Sequence, residues 1–379
     1  MKHLFIALLS CAFFSVSAQT TPARPAPIVS PQTENGQTTF RLRAPNAKEV
    51  ILDIEGISKE TMQKNEAGVW SFTKSLEPDV YDYAFVVDGL QMTDPANPVV
   101  KPGYQQATQS LAHVPGPATI SWEVNDATPH GVVSHHEYKS AAVGDSRDFY
   151  VYLPPNYNPS RKEPYPVLYL LHGATGNALS WIKNGQANII LDNLINQGKA
   201  KPMIMVNTLG YGGNEKYGAA LFNEVMPVVQ KTYNASKDRN QQAIAGLSMG
   251  GGTALYTGLN NLDRFAYVAG FSSAVGLPRT APVATASINQ PATPPAAAAP
   301  VNLDGYAKVY PKLDSKANAQ LKLLWIACGK ADFLYETNNN FKSWLTSKNV
   351  KFVNHETEGG HTFMVWRRNL TDFAPLIFQ

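Results

Sequence analysis

Seven short apolar runs downstream of residue 146 constrain the fold more tightly than any other feature of this chain. They read RDFYVYLPP, PVLYLLHG, KPMIMVNT, QQAIAGLS, FAYVAGFSS, LKLLWIACG and VKFVNHET. Strands as near-continuously apolar as most of these leave little face for water and point to a sheet covered on both faces. The stretches between them read as helices. In QANIILDNLINQG, for example, Ile190 and Leu194 are spaced i,i+4, as are Leu191 and Ile195. Strands alternating with helices predict an α/β fold, a doubly wound parallel sheet with helices on both faces. Upstream the period changes. From Thr38 to Val87 the runs TTFRLRAP, EVILDIEG, GVWSFTKSL and VYDYAFVVDG are separated by turn residues and predict a small all-β, immunoglobulin-like sandwich. Its alternating aromatics, Trp70 with Phe72 and Tyr81 with Tyr83 and Phe85, read as the buried face of strands rather than as a sugar-stacking platform.

These patterns divide the chain into a signal peptide over 1–18, a linker over 19–30, the sandwich over 31–117 and the α/β domain over 118–379. The signal is carried by Lys2, the apolar run from Leu4 to Val16, and small residues up to Ala18. It predicts a secreted or periplasmic protein. Lipid anchoring through Cys11 is the lesser reading, because the residues after it, AFFSV, are not polar. Cleavage after Ala18 leaves Cys328 alone, with no intramolecular disulfide and the expected behaviour of a small core hydrophobe. A stretch at 276–301 carries six prolines and no charge after Arg279. It reads as an irregular insertion, either a lid or a linker. No later segment has ~18 uninterrupted apolar residues, so no membrane span is expected. With 44% hydrophobic residues the chain is not wholly disordered. With 32 Lys and Arg against 29 Asp and Glu, and no dense basic run, nucleic acid is not an expected partner.

The chemistry is concentrated in QQAIAGLSMGGG. Gly246-x-Ser248-x-Gly250 stands between an apolar strand and a small-residue helix, the setting in which a tight turn presents a serine hydroxyl at the sheet edge. The backbone N–H of Met249, at the helix start, then points at a developing oxyanion. The alternative is a glycine-rich helix entry with no catalytic role. A serine needs a base, and the base an orienting acid. His361, in the glycine loop TEGGHTF after the last strand, is the histidine able to reach over the sheet edge. His355 lies within a strand. His172, in LLHGATG, reads as structural, and His113, His130, His135 and His136 precede the sheet. Asp332 follows the strand LKLLWIACG and supplies the acid, in the order Ser248, Asp332, His361. Glu356 and Glu358 read as surface charges. The turn after PVLYLLHG offers the second oxyanion donor through the N–H of Ala174. His135-His136 has no spaced partner set, and GYGGNEKYG does not end as a P-loop does, so neither a metal nor a cofactor is expected.

YPVLYLLHGATGNALSW, QANIILDNLINQGKAKPMIMV, AIAGLSMGGGTALYTGLNNLDRFAYVAGFSSA, LLWIACGKADFLY and EGGHTFMVWRRNL together resemble carbohydrate esterase family one, the feruloyl and acetylxylan esterases of the esterase D-like group. The resemblance runs from about Phe149 to Phe378. It implies Ser248 as nucleophile, His361 as base, Asp332 as orienting acid, and Ala174 and Met249 as oxyanion donors. The 276–301 insertion departs from the family's shorter segment. The sandwich, through VVDG…TDPANP, resembles early-set modules related to glycogen-binding domains, which points to a carbohydrate-binding-like module. The implied substrate is plant xylan decorated with ferulate or acetate. Trp181, Phe333 and Trp366, each beside a catalytic position, favour ferulate on arabinoxylan or its oligosaccharides, with Tyr104 of the exit segment as a further candidate contact. An acetylxylan esterase, an enterochelin-type siderophore esterase, and a glycan-binding protein with a decayed hydrolase domain are the alternatives.

Overall fold

The computed structural model describes residues 27–276 and 303–379. The expected signal peptide, most of the linker and nearly all of the 276–301 insertion lie outside the described residues. Eight strands form the main sheet: β1 (Val132–Lys139), β2 (Ser146–Leu153), β3 (Val167–Leu171), β4 (Ile204–Thr208), β5 (Gln242–Leu247), β6 (Tyr267–Phe271), β7 (Leu323–Gly329) and β8 (Val353–Thr357). They lie in the order β1-β2-β4-β3-β5-β6-β7-β8. From β4 to β8 every pairing is parallel, as the apolar runs require, but β1 and β2 pair antiparallel. This corrects two expectations: the sheet is not wholly parallel, and His135 and His136 do not precede it but lie on its first strand. The reason is position. An edge strand is covered on one side only, so β1 can be as polar as VVSHHEYK, and a search for apolar runs passes over it. The His136 ring stacks on Phe149 of β2, 4.7 Å between centroids.

Alternate residues of the central strands feed two cores. Tyr169 and Leu171 of β3 join Ile244, Val268 and Ile326 beneath α2 (Ser248–Asn260) and α3 (Tyr335–Ser347). Leu168 and Leu170 join Met205, Ala245 and Phe271 beneath α1 (Ala187–Asn196) and α4 (Phe363–Phe373). Helix α1 buries Ile190, Leu191 and Leu194, the face its sequence spacing marks. Cys328, on β7, is buried, and burial pushes its thiol up to about 12, out of the range in which it is reactive.

The N-terminal strands form two sheets. One orders Gln32–Glu34, Gln37–Arg43, Val69–Lys74 and Gln63–Lys64; the other orders Glu60–Thr61, Val50–Ile54, Asp79–Val87 and Leu90–Met92, with Ser110–Val114 also paired to Asp79–Val87. Phe40, Leu52, Trp70, Tyr83 and Phe85 fill the space between them, and Phe40 meets Tyr83 edge-on at 4.9 Å. The aromatics are therefore core. The Asp79–Val87 strand is buried on its other side as well, because Asp79, Val80 and Asp82 face the α/β half. Arg367 of α4 donates to Asp79 Oδ1 from Nε at 2.8 Å and to the Val80 carbonyl from Nη2 at 2.6 Å. Asn184 donates to Asp82 at 2.8 Å. Both Asp79 and Arg367 have no solvent exposure. The joint between the two halves is thus an interior, held by a fully buried ion pair.

Candidate active site

The turn between β5 and α2 is tight enough to exclude any side chain but glycine's at two points. A Cβ on Gly246 would lie 2.4 Å from the Gly250 carbonyl oxygen, and one on Gly250 would lie 2.2 Å from that of His172. Between them Ser248 adopts φ +52°, a left-handed conformation that L residues rarely take. The strained serine stands at the C-terminal end of the central strand, with its hydroxyl clear of the sheet. His361 and Asp332 reach it from neighbouring loops. Ser248 Oγ is 2.9 Å from His361 Nε2, and His361 Nδ1 is 2.9 Å and 3.1 Å from the two Asp332 oxygens. A carboxylate only accepts, so Nδ1 carries the proton and Nε2 presents its lone pair to the serine hydroxyl. Asp332 is itself fixed, since its Oδ1 accepts the Leu334 N–H at 2.8 Å. The three residues picked from the sequence are brought together in one hydrogen-bonded chain.

Gly173 packs against the serine: a Cβ there would sit 3.2 Å from Ser248 Cβ. Ala174, the next residue, therefore enters the same rim as Met249, which follows Ser248 at the start of α2. His172 shapes this loop without facing the chemistry. Its Nδ1–H donates to the Gly173 carbonyl at 2.7 Å, and its Nε2 accepts the Gly210 N–H at 3.0 Å. Burial lowers its pKa to about 4, so the ring is neutral, as this pair of bonds demands. The other acid and base candidates are engaged elsewhere. His355 lies on the Trp325 ring at 4.6 Å, and Glu356 and Glu358 pair with Lys342 and Lys330.

The aromatic contacts split into two kinds. Trp181 has no exposure; its indole donates to the Leu171 carbonyl at 2.8 Å and its ring packs on Phe271 and Phe363. It cannot touch a substrate, which corrects that expectation: an aromatic following a catalytic loop is as readily its floor as its lining. Trp366 is corrected likewise. It is buried, donates to Ser272 Oγ at 3.0 Å and meets the His361 ring edge-on at 4.9 Å, so it braces the histidine from behind. Phe333 is the opposite case, 63% exposed and 4.4 Å from the His361 ring centre. Tyr104 is 46% exposed and lies on Tyr211 at 4.0 Å. Its N–H donates to the Thr175 carbonyl at 2.9 Å, and Asn177 donates to the Gly103 carbonyl at 3.0 Å. The exit segment of the N-terminal sandwich is thereby tied to the loop that carries Ala174. Sequence reasoning missed Tyr211; its place in the Gly-rich GYGG stretch was a usable signal for a loop at the sheet edge. Among the described residues no three His, Cys, Asp or Glu side chains converge as a cation site needs, and no helix is long and apolar enough to cross a membrane.

A strained serine at the end of β5, a histidine from the loop after β8 and an aspartate after β7, on this strand order, define an α/β-hydrolase. Residues 140–377 match the family described as "Putative esterase", and the chain belongs to it. It is 26% identical to an endo-1,4-beta-xylanase/feruloyl esterase of Xylanibacter ruminicola over 97% of this chain. It spans about half of that relative's length, 48%. Among solved structures, a ferulic acid esterase from Anaeromyces mucronatus shares the fold over 69% of this chain and 96% of its own, with TM-score 0.56 and 22% identity. The enterobactin esterase of Shigella flexneri does so over 90% of this chain and 92% of its own, with TM-score 0.64 and 20% identity.

Proposed function

We propose that the chain is a secreted or periplasmic serine esterase that releases ferulate and related hydroxycinnamates from arabinoxylan or its oligosaccharides through an acyl-enzyme. The hydrogen-bonded chain from Asp332 through His361 to Ser248 carries the reading. Ser248 attacks the ester carbonyl while His361 takes its proton, and the N–H groups of Ala174 and Met249 receive the oxyanion, each such donor contributing ~3 kcal/mol in the transition state. His361 returns the proton to the leaving alcohol. Water, activated by the same histidine, then releases the acid. Two exposed aromatics support an aryl acyl group: Phe333 on the histidine side and Tyr104 on the oxyanion side. The named activity of the Xylanibacter ruminicola relative, whose match takes in the sandwich as well as the hydrolase half, supports ferulate and xylan in particular. The apolar N-terminal segment supports export.

One observation favours a second reading. The enterobactin esterase matches both halves of the chain rather than the hydrolase half alone, so a catechol-siderophore ester is the competing aryl substrate. A panel of kcat/KM values on methyl ferulate, acetylated xylan and a catechol-siderophore trilactone separates the readings. Ferulate release is expected to lead. Acetate or siderophore release faster by more than about tenfold, ~1.4 kcal/mol of transition-state preference, would overturn the substrate assignment.

A further inference from the structure

The helix that begins two residues after His361 is capped from outside its own domain. Phe363 is the first residue of α4, and Thr362 before it makes no side-chain cap. The Phe363 N–H donates instead to Glu55 Oε1, at 3.0 Å. Glu55 belongs to the N-terminal sandwich, at the end of the Val50–Ile54 strand. It is held there by its own backbone, whose N–H donates to the Asp82 carbonyl at 2.8 Å. Around this contact Met364 packs against the sandwich core, and a Cβ added to Gly56 would lie 3.5 Å from its sulfur. Further along α4, Arg367 and Arg368 both pair with Asp79. Of these contacts the Phe363–Glu55 bond lies nearest the histidine in sequence, two residues beyond His361. The same helix supplies Trp366, whose ring edge supports the imidazole.

We infer that Glu55 is a positioning residue for His361: by accepting the first free N–H of α4, the sandwich sets where the histidine loop ends and keeps Nε2 in line with Ser248. The inference rests on the serine-esterase reading and on neither choice of substrate. The reach of the oxygen matters here more than its charge. Burial, with Asp82 alongside, raises Glu55 to about 7 against the pull of Lys101 in the exit segment and of Arg367 and the Phe363 N–H in α4. A carboxyl group so balanced near neutrality serves as an acceptor in either protonation state.

The test uses the full chain and three substitutions. Glu55→Ala removes the acceptor, Glu55→Asp keeps the charge but withdraws the oxygen by one methylene, and Glu55→Gln keeps the reach without the charge. Each is read by kcat and KM on p-nitrophenyl acetate, by the second-order rate of fluorophosphonate labelling, and by Tm. With Ala and Asp, kcat and the labelling rate should fall about tenfold, with KM within about twofold, because a misplaced base slows acylation without altering binding. Gln should restore both to within about twofold. If Ala unfolds the chain, the Asp and Gln pair still decides. Wild-type labelling rates in Ala or Asp, or a loss in Gln as large as in Ala, would overturn the positioning role and leave the esterase reading intact. No labelling of the unsubstituted chain would overturn both.

Discussion

Ser248 sits where its backbone is least comfortable, and that discomfort has a measurable sign. At φ +52° a Cβ is disfavoured by about 1 kcal/mol, whereas at an ordinary helix position glycine is the worse residue by a similar amount. Ser248→Gly is therefore expected to be more stable than Ser248→Ala by about 1 kcal/mol, read as a higher midpoint in urea unfolding. The ordinary helical order, alanine above glycine, would show that the turn relaxes when the hydroxyl is removed. The residues around the serine divide by what they can see. Phe333 is open to solvent on the face of His361, whereas Trp181 and Trp366 are buried beneath the site. Phe333 adjoins Asp332, while Trp366 follows His361 by five residues and Trp181 follows Ala174 by seven, so nearness in sequence could not separate lining from floor. Solvent exposure does, and it depends on packing from distant elements.

At the scale of single elements, the β3–Ala174 turn and helix α4 hold the two sides of the site by different means. The turn is locked by His172, neutral and buried, accepting from Gly210 and donating to Gly173. Its pKa is lowered from the ordinary histidine value of 6.5 to about 4, so the folded state binds fewer protons than the unfolded one in that interval. The stability this group contributes is therefore complete above pH 6.5 and is lost as pH falls toward 4, by roughly 3 kcal/mol. Glu55 runs the other way, its raised pKa of about 7 costing stability as pH rises through the same region, so the effect is best isolated by difference. Subtracting the pH–stability curve of His172→Gln from that of the wild type should leave a slope confined to pH 4–6.5. A flat difference would mean that His172 can be protonated in place. Helix α4 is held instead by the sandwich, through Asp79 and Glu55. The segment that forms α4 carries no mark of that partner in its own sequence. Edge strands were the other blind spot: β1 is polar because only one side of it is covered.

For the whole molecule, the hydrolase half was legible because its constraints are local. Each central strand must be apolar throughout, the elbow needs glycine at 246 and 250, and the triad follows a fixed chain order. What joins the two halves was not legible. The Arg367–Asp79 bond spans 288 residues and the Phe363–Glu55 bond 308, and nothing in either segment announces the other. The same holds for Tyr104, whose place beside the Ala174 loop comes from a turn-rich exit segment with no periodicity of its own. On the proposed function the sandwich is part of the active-site architecture: it caps the helix after His361 with Glu55 and, with Tyr104, reaches the loop proposed to carry the oxyanion donor Ala174. All of this serves one claim, that Ser248 carries the acyl group in turnover. The direct measurement is acid-quench mass spectrometry of the full chain mixed with p-nitrophenyl ferulate, followed by peptide mapping and parallel kinetics of Ser248→Ala. The account predicts one feruloyl group on the peptide containing Ser248, none in the variant, and a kcat lower by ~10⁶; a feruloyl group on another residue, or undiminished turnover by Ser248→Ala, would contradict it.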